Sequence, residues 1–355
     1  MRVWIGVAVC PPSGAGRSWL VATAPYNAAM SRHPYATLTP DVVLDAIASV
    51  GLEGDGRLLA LNSYENRVYQ VWCDEAPTVV AKFYRPNRWS DQQILEEHAF
   101  VAELAEHEIP VVAPLLLHDR SLNAHAGFRF SAYPRRGGRA PELDTSATLT
   151  WIGRFLGRIH AIGATRRFEV RPALDPQTFG ELPRSYLIEH GNLPADMHEV
   201  YAGVSRQALD AVHRLWERTG DMTTLRLHGD CHAGNILWTD DGPHFVDFDD
   251  ARSGPAMQDL WMLLSGDRAS MERQLADVVE GYRQFHDIDR RELHMVEALR
   301  TLRLIHYAAW IAQRWDDPAF PAAFPWFGTQ RYWQDRVLEL REQIALMDEP
   351  PLEIA

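Results

Sequence analysis

Apolar positions change their spacing several times along the chain. In TLTPDVVLDAIASVG, Val43, Ile47 and Val50 fall on one helical stripe, with Thr39 placed to cap it, Pro40 suited to its first turn and Gly51 to end it. LLALNSYENRVYQVWCD reads as two strand-like runs joined through Asn62, Ser63 and Tyr64, and TVVAKFYR adds a third run rich in β-branched and aromatic residues, which predicts a meander. In SDQQILEEHAFVAELAEHEIP the period lengthens: Ser90 and Gln93 are spaced as a capping box, and Ile94, Leu95, Val101 and Leu104 give a helical face before Pro110. GFRFSAYP returns to strand character. The Pro, Arg and Gly content of YPRRGGRAPELD then marks a hinge.

Beyond residue 145 the pattern is mostly helical. TLTWIGRFLGRIHAIG places Trp151, Ile152, Phe155, Leu156 and Ile159 on one broad apolar side, and further helices are predicted at 205–218, 256–265, 270–286, 289–315 and 330–346. The runs GNILW and HFVDF, separated by TDDG, predict a hairpin. At 355 residues the chain exceeds what one core usually organises. The reading is an α+β chain of two lobes: a β-rich one over 37–135, a mostly helical one over 136–345, and a tail at 346–355.

Composition narrows the function classes. An apolar fraction of 46% with 12 tryptophans argues against disorder, and 35 basic against 48 acidic side chains give a formal charge of -13. That surface repels nucleic acid, and no long Lys/Arg run offsets it. Cys10, Cys73 and Cys231 are odd in number and far apart, which supports neither a disulfide framework nor a cysteine zinc site and fits a reducing cytosol. No stretch of 18 to 20 residues is free of charge or strong polarity, so no membrane span is expected. Residues 1–35 read as a disordered extension or the product of a start codon placed too early, with Met30 or a nearby codon as the real one.

The chemistry concentrates in RLHGDCHAGNILW, residues 226–238. Its Asp230, His232 and Asn235 suit a metal site, a phosphoryl-transfer site or an ordinary turn. Asp247 follows 17 residues after Asp230, across the predicted hairpin, so the fold-back would bring it near Asn235. Those two offer hard oxygen ligands of the kind Mg²⁺ takes alongside phosphate and water, with the Asp230 carboxylate to spare. Zinc would want His228, His232 and a third ligand, but Gly229 and the other small residues do not set the histidines on a helix.

HGDCHAGN followed by FVDFDD resembles the catalytic segment of the aminoglycoside phosphotransferase and choline kinase group. LNSYENRVYQV, VVAKFYRP, DDARSGPAMQDLWML and DPAFPAAFPW bring the resemblance closer to the bacterial stress response kinase A (RdoA) family, over nearly all of residues 37–345. The resemblance implies a bilobal protein-kinase-like fold, ATP and Mg²⁺ as cofactors, and transfer to a Ser or Thr hydroxyl of a protein in cytoplasmic stress response. It makes Asp230 the acceptor-side base and Asp247 its catalytic companion, with Asn235 and Asp247 holding magnesium. Lys82 would grip the α- and β-phosphates, with Glu97 as its ion-pair partner and Glu96 as the alternative. Ser63 and Asn66 stand where a glycine-rich loop would, as nucleotide-contacting or loop-shaping residues. His228, His232 and Asp259 would support the catalytic loop, and adenine would lie near Ala132 to Pro134. A monomer is expected.

Two competing functions remain open at this point: a kinase for an amino alcohol, sugar or aminoglycoside, attracted by Asp249, Asp250, Asp316 and Asp317, and a nucleotide-binding pseudokinase scaffold. Asp249, Asp250 and Arg252 otherwise read as solvent-facing or locally paired charges. Trp310 and Trp315 suit either core or cleft. The acidic overall charge weakly favours a target that is basic near its acceptor.

Overall fold

Tyr35 lies near the start of the region, residues 33–354, that the computed structural model describes. Its ring is buried and its hydroxyl donates to the carbonyls of Glu65 (3.1 Å) and Phe83 (3.2 Å), so organised structure begins ahead of the first helix. The expectation for residues 1–32 lies outside the described residues. Thr39 accepts from the Val42 N–H and opens α1 (Pro40–Ala48), which buries Val43, Ala46 and Ile47. β1 (Gly54–Ala60), β2 (Arg67–Cys73) and β3 (Val79–Phe83) form the antiparallel meander. α2 (Asp91–Glu106) starts from a complete Ser90/Gln93 capping box. β4 (Asn123–His125) pairs with β5 (Phe128–Pro134), and β5 with β3, giving the order β1-β2-β3-β5-β4. Asn-Ala-His has no apolar alternation, which is why the pattern misses β4.

The second lobe comprises α3 (Ser146–Gly163), α4 (Leu182–His190), α5 (Ala195–Thr219), α6 (Met257–Trp261), α7 (Arg268–Tyr282), α8 (Val296–Ala312), α9 (Ala319–Ala323) and α10 (Gln330–Met347). Between them run β6 (Leu225–Leu227), β7 (Ile236–Thr239), β8 (Gly242–Phe245) and β9 (Arg252–Gly254), paired β6 with β9 and β7 with β8. The helix expected at 289–315 is broken. Residues Arg290–Met295 form a 3₁₀ stretch before α8, because Asp289 caps it and the Glu292 carboxylate accepts from the Met257 N–H (2.7 Å) at the head of α6. The apolar side of α3 is narrower than expected as well. Ile152, Leu156 and Ile159 are buried, whereas the half-exposed Trp151 lies against Trp238 and Gly242 of the hairpin.

α3 and α7 meet backbone to backbone. A Cβ on Gly153 would collide with the Val278 carbonyl, one on Gly157 with that of Tyr282, and one on Gly281 with that of Thr150. Where the chain enters the second lobe, the Arg139 N–H donates to the Trp238 carbonyl (3.1 Å) and the Trp238 N–H donates back (2.7 Å), fastening the end of the hinge segment to the hairpin. Among the described residues no helix is long and apolar enough to cross a membrane.

Candidate functional site

β6 delivers the chain to His228, Gly229 and Asp230. Gly229 sits at φ +85°, and a Cβ there would collide with the Asp250 carbonyl, so only glycine fits. From α6, Asp259 accepts from the His228 N–H (2.9 Å) through Oδ2 and the Gly229 N–H (2.8 Å) through Oδ1. His160 of α3 contacts Oδ2 at 3.0 Å and Tyr282 of α7 at 2.8 Å. The close-packed helix pair is thus wired to the loop that carries Asp230. His228 donates through Nε2 to the Val246 carbonyl (2.9 Å) and accepts the Asp230 N–H at Nδ1 (3.3 Å). His232 caps the short turn Ala233–Asn235 by accepting from the Gly234 N–H (2.9 Å), and its Nε2 lies 3.5 Å from Asp230 Oδ2. Both ring nitrogens of His228 and Nδ1 of His232 are spent on the loop, which removes the zinc reading.

The hairpin brings Asn235 and Asp247 together at its open end. Ile236 pairs with Phe245, and the Val246 N–H donates to the Asn235 carbonyl (3.0 Å). Asn235 Nδ2 donates to the Asp230 carbonyl (2.9 Å). Asp247 takes the left-handed conformation (φ 60°) and leaves its side chain 54% exposed, the most open carboxylate of the cluster. This donor set, one exposed carboxylate and one amide oxygen brought together by the hairpin, fits an Mg²⁺ ion that completes its shell with phosphate and water.

Lys82 is buried on β3. Its amine lies 2.9 Å from Asp247 Oδ1 and 3.1 Å from Asp249 Oδ1, and no ion pair joins it to Glu97 among the described residues. The expected partner is therefore replaced, and the reason is Asp249. Read as a solvent-facing or locally paired charge, it is instead 4% exposed and paired at long range, taking Arg88 as well as Lys82 and accepting from Asn66 Nδ2 (3.2 Å). Burial works against the lysine's charge, but Asp247 and Asp249 outweigh it and hold its pKa well above the ordinary value. Glu97 is buried on α2, where burial pushes its pKa up to about 7 against the pull of Lys82 and Arg171. Glu96 faces elsewhere, accepting from the backbone of Glu169, Val170 (3.1 Å) and Arg171 (2.8 Å).

Asn66 is a loop-shaping residue: buried, it also accepts the Arg85 N–H (3.1 Å). Ser63 is half-buried in the β1–β2 turn. In the same turn Glu65 receives Arg85 (3.0 Å), Arg314 (2.6 Å) and the Trp310 indole N–H. Asp317, buried, holds Arg67 (2.9 Å) and Arg85 (2.6 Å), while Asp250 holds Arg88 (2.8 Å) and Arg252 (3.0 Å). Three of the four acids offered as attractors for a cation are thus occupied by protein cations. Trp310 is half-buried, packed against Tyr307, Phe320 and Phe324.

Sequence reasoning missed Arg303. From α8 its Nη1 reaches Asp230 Oδ1 at 2.6 Å. Burial pushes the Asp230 carboxyl up, but Arg303 and His232 more than offset this and hold it well below the usual carboxylate range. The one available signal was periodicity: Arg303, His306, Tyr307, Trp310 and Arg314 recur at helical spacing opposite the buried Leu302, Ile305 and Ala309.

The phosphotransferase enzyme family matches residues 57–296. The chain is 45% identical over 320 residues to serine/threonine protein kinase RdoA of Salmonella typhimurium (strain LT2), covering 90% of this chain and 97% of that one. It is 43% identical over 324 residues to stress response kinase A of Escherichia coli (strain K12), covering 91% and 98%. Amicoumacin kinase hAmiN, solved with AMP-PNP, Ca²⁺ and Ami, superposes with a TM-score of 0.68 at 18% identity, over 88% of this chain and 94% of that one, and shows the shared bilobal fold. The chain belongs to the phosphotransferase enzyme family and, within it, to the stress response kinase A (RdoA) group.

Proposed function

We propose that the chain transfers the γ-phosphoryl group of ATP to a Ser or Thr hydroxyl of a protein, in a cytoplasmic stress response. The observation that carries the reading is the convergence of Lys82, Asp247, Asn235 and Asp230 where the two lobes meet. Phosphoryl transfer needs positioning and charge neutralisation more than covalent chemistry. On nucleotide entry the Lys82 amine passes from Asp247 to the phosphate oxygens, which frees the Asp247 carboxylate. Asn235 and Asp247 would hold Mg²⁺, which when bound neutralises charge on the β- and γ-phosphates. Asp230 orients the acceptor hydroxyl and takes its proton as the bond to phosphorus forms. Asp249 keeps Lys82 charged and extended throughout. A protein acceptor is supported by the RdoA relative, which aligns over 97% of its length and is named a serine/threonine protein kinase.

The test is incubation with radiolabelled ATP and magnesium, offering casein and myelin basic protein in parallel with choline, homoserine and an aminoglycoside. Phosphoserine or phosphothreonine that disappears in Asp230→Asn is the expected result. Efficient turnover of a small alcohol without protein labelling would move the assignment to a small-molecule kinase.

A further inference from the structure

We propose that Arg303 determines acceptor specificity, excluding hydroxyls that carry a nearby ammonium and favouring those beside a carboxylate. The proposal rests on the phosphotransfer reading above and deepens it. α8 and the residues just after it reach from Asp230, held by Arg303, to Glu65, held by Trp310 and Arg314. They form one wall between the catalytic loop and the β1–β2 turn. Arg303 binds Asp230 Oδ1 alone, while Oδ2 has only the long approaches of His232 Nε2 and Asn235 Nδ2, both 3.5 Å. The second oxygen is therefore the one left for an acceptor hydroxyl. A guanidinium carries five N–H donors. No other described residue takes those remaining on Arg303, whose side chain is 33% exposed.

Apart from Asp230, which takes one nitrogen of the guanidinium, the nearby acids are engaged elsewhere. Asp249, Asp250, Asp317 and Glu65 are each engaged by arginines or by Lys82. His306, next on the same helix face, stacks on Phe179 at 4.1 Å and is held neutral at pH 7, its pKa pushed down by burial to about 3. An ammonium arriving with its hydroxyl at Asp230 comes up beside a guanidinium that already holds one oxygen of that carboxylate. An Asp or Glu neighbouring the acceptor meets a free hydrogen-bonding edge. The local charge thus opposes what the net charge of -13 suggests, and at a few ångströms the local term dominates.

Matched Ser peptides with Glu or Lys flanks are to be compared with wild type, Arg303→Gln and Arg303→Glu. Binding of the Ser→Ala forms is measured alongside, so that a variant without turnover stays readable. Wild type is expected to show a KM about fivefold lower for the acidic peptide, the scale of a partly exposed ion pair. Arg303→Gln should level the two and Arg303→Glu should invert them, with the KM for ATP unchanged. A wild-type preference for the basic peptide, or the same ratio in Arg303→Glu, overturns the proposal. If only small alcohols turn over, the protein-acceptor reading fails separately. Arg303 is then judged on glycerate against choline: preference for glycerate that inverts in Arg303→Glu supports it, and preference for choline overturns it. Charge-blind wild-type behaviour in both panels also overturns it.

Discussion

Asp249 anchors the small lobe's lysine, arginine and asparagine to the catalytic segment: Lys82, Arg88 and Asn66 all converge on its carboxylate. Asp249→Ala leaves the buried Lys82 and the partly buried Arg88 short of a partner, and is expected to lower unfolding free energy by about 3 kcal/mol in a denaturant titration. Glu97→Gln, at a position without a direct ion pair to Lys82, should cost clearly less in the same titration. Asp230→Asn keeps a similar shape but loses the proton acceptor, so turnover should fall about a thousandfold while ATP affinity holds. A parallel loss of ATP binding would put Asp230 on the nucleotide side instead. Asp247→Ala should weaken magnesium-dependent binding of an ATP analogue more than Asn235→Ala, because the neutral amide contributes less Coulomb attraction. The HGDCHAGN segment was legible because its chemistry-bearing residues are packed into eight consecutive positions, although Asp259, Val246 and Arg303 hold them from afar. Asp249 and Arg303 were not, since each is defined by partners more than 70 residues distant, and a charge after a strand carries no mark of its own burial.

Among the elements, those shaped by local chemistry were read from the pattern. Thr39, the Ser90/Gln93 box and the TDDG turn each satisfy backbone groups within a few residues. The break before α8 and the brief β4 depend on tertiary partners, and periodicity does not see them. The α3–α7 seam follows from glycine placement, and Gly153→Ala must force the helices apart. It is expected to cost about 3 kcal/mol by calorimetry and to lower kcat through His160 and Asp259. Glu292 supplies a pH test. Burial pushes its carboxyl up to about 7 from an ordinary 4.5, so its contribution is fully present below about pH 4.5 and is lost as pH rises through 7. Glu292→Gln keeps an acceptor for the Met257 N–H without the charge. It should melt above wild type at pH 8, by the equivalent of about 2 kcal/mol, with the gap closing towards pH 4.5.

At the scale of the molecule, charged groups do much of the joining. Asp317 ties the second lobe to Arg67 and Arg85 of the first, Glu65 reaches across to Arg314, and Glu96 reaches to the backbone at residues 169–171. The two-lobed plan was visible in the change from strand to helix period, but the clasp between lobes was not. Asp317, offered by the sequence as an attractor for a cationic acceptor, is buried because two arginines from the other lobe close over it. This clasp makes heat unfolding a collective event. Asp317 does not tolerate burial without Arg67 and Arg85, so melting the small lobe strands its charge in the other and draws that lobe along. Warming also lessens the hydration advantage of separated charges, so the clasp does not weaken ahead of the cores. A single calorimetric transition is expected for the intact chain, and Asp317→Ala should split it in two, the small lobe melting first.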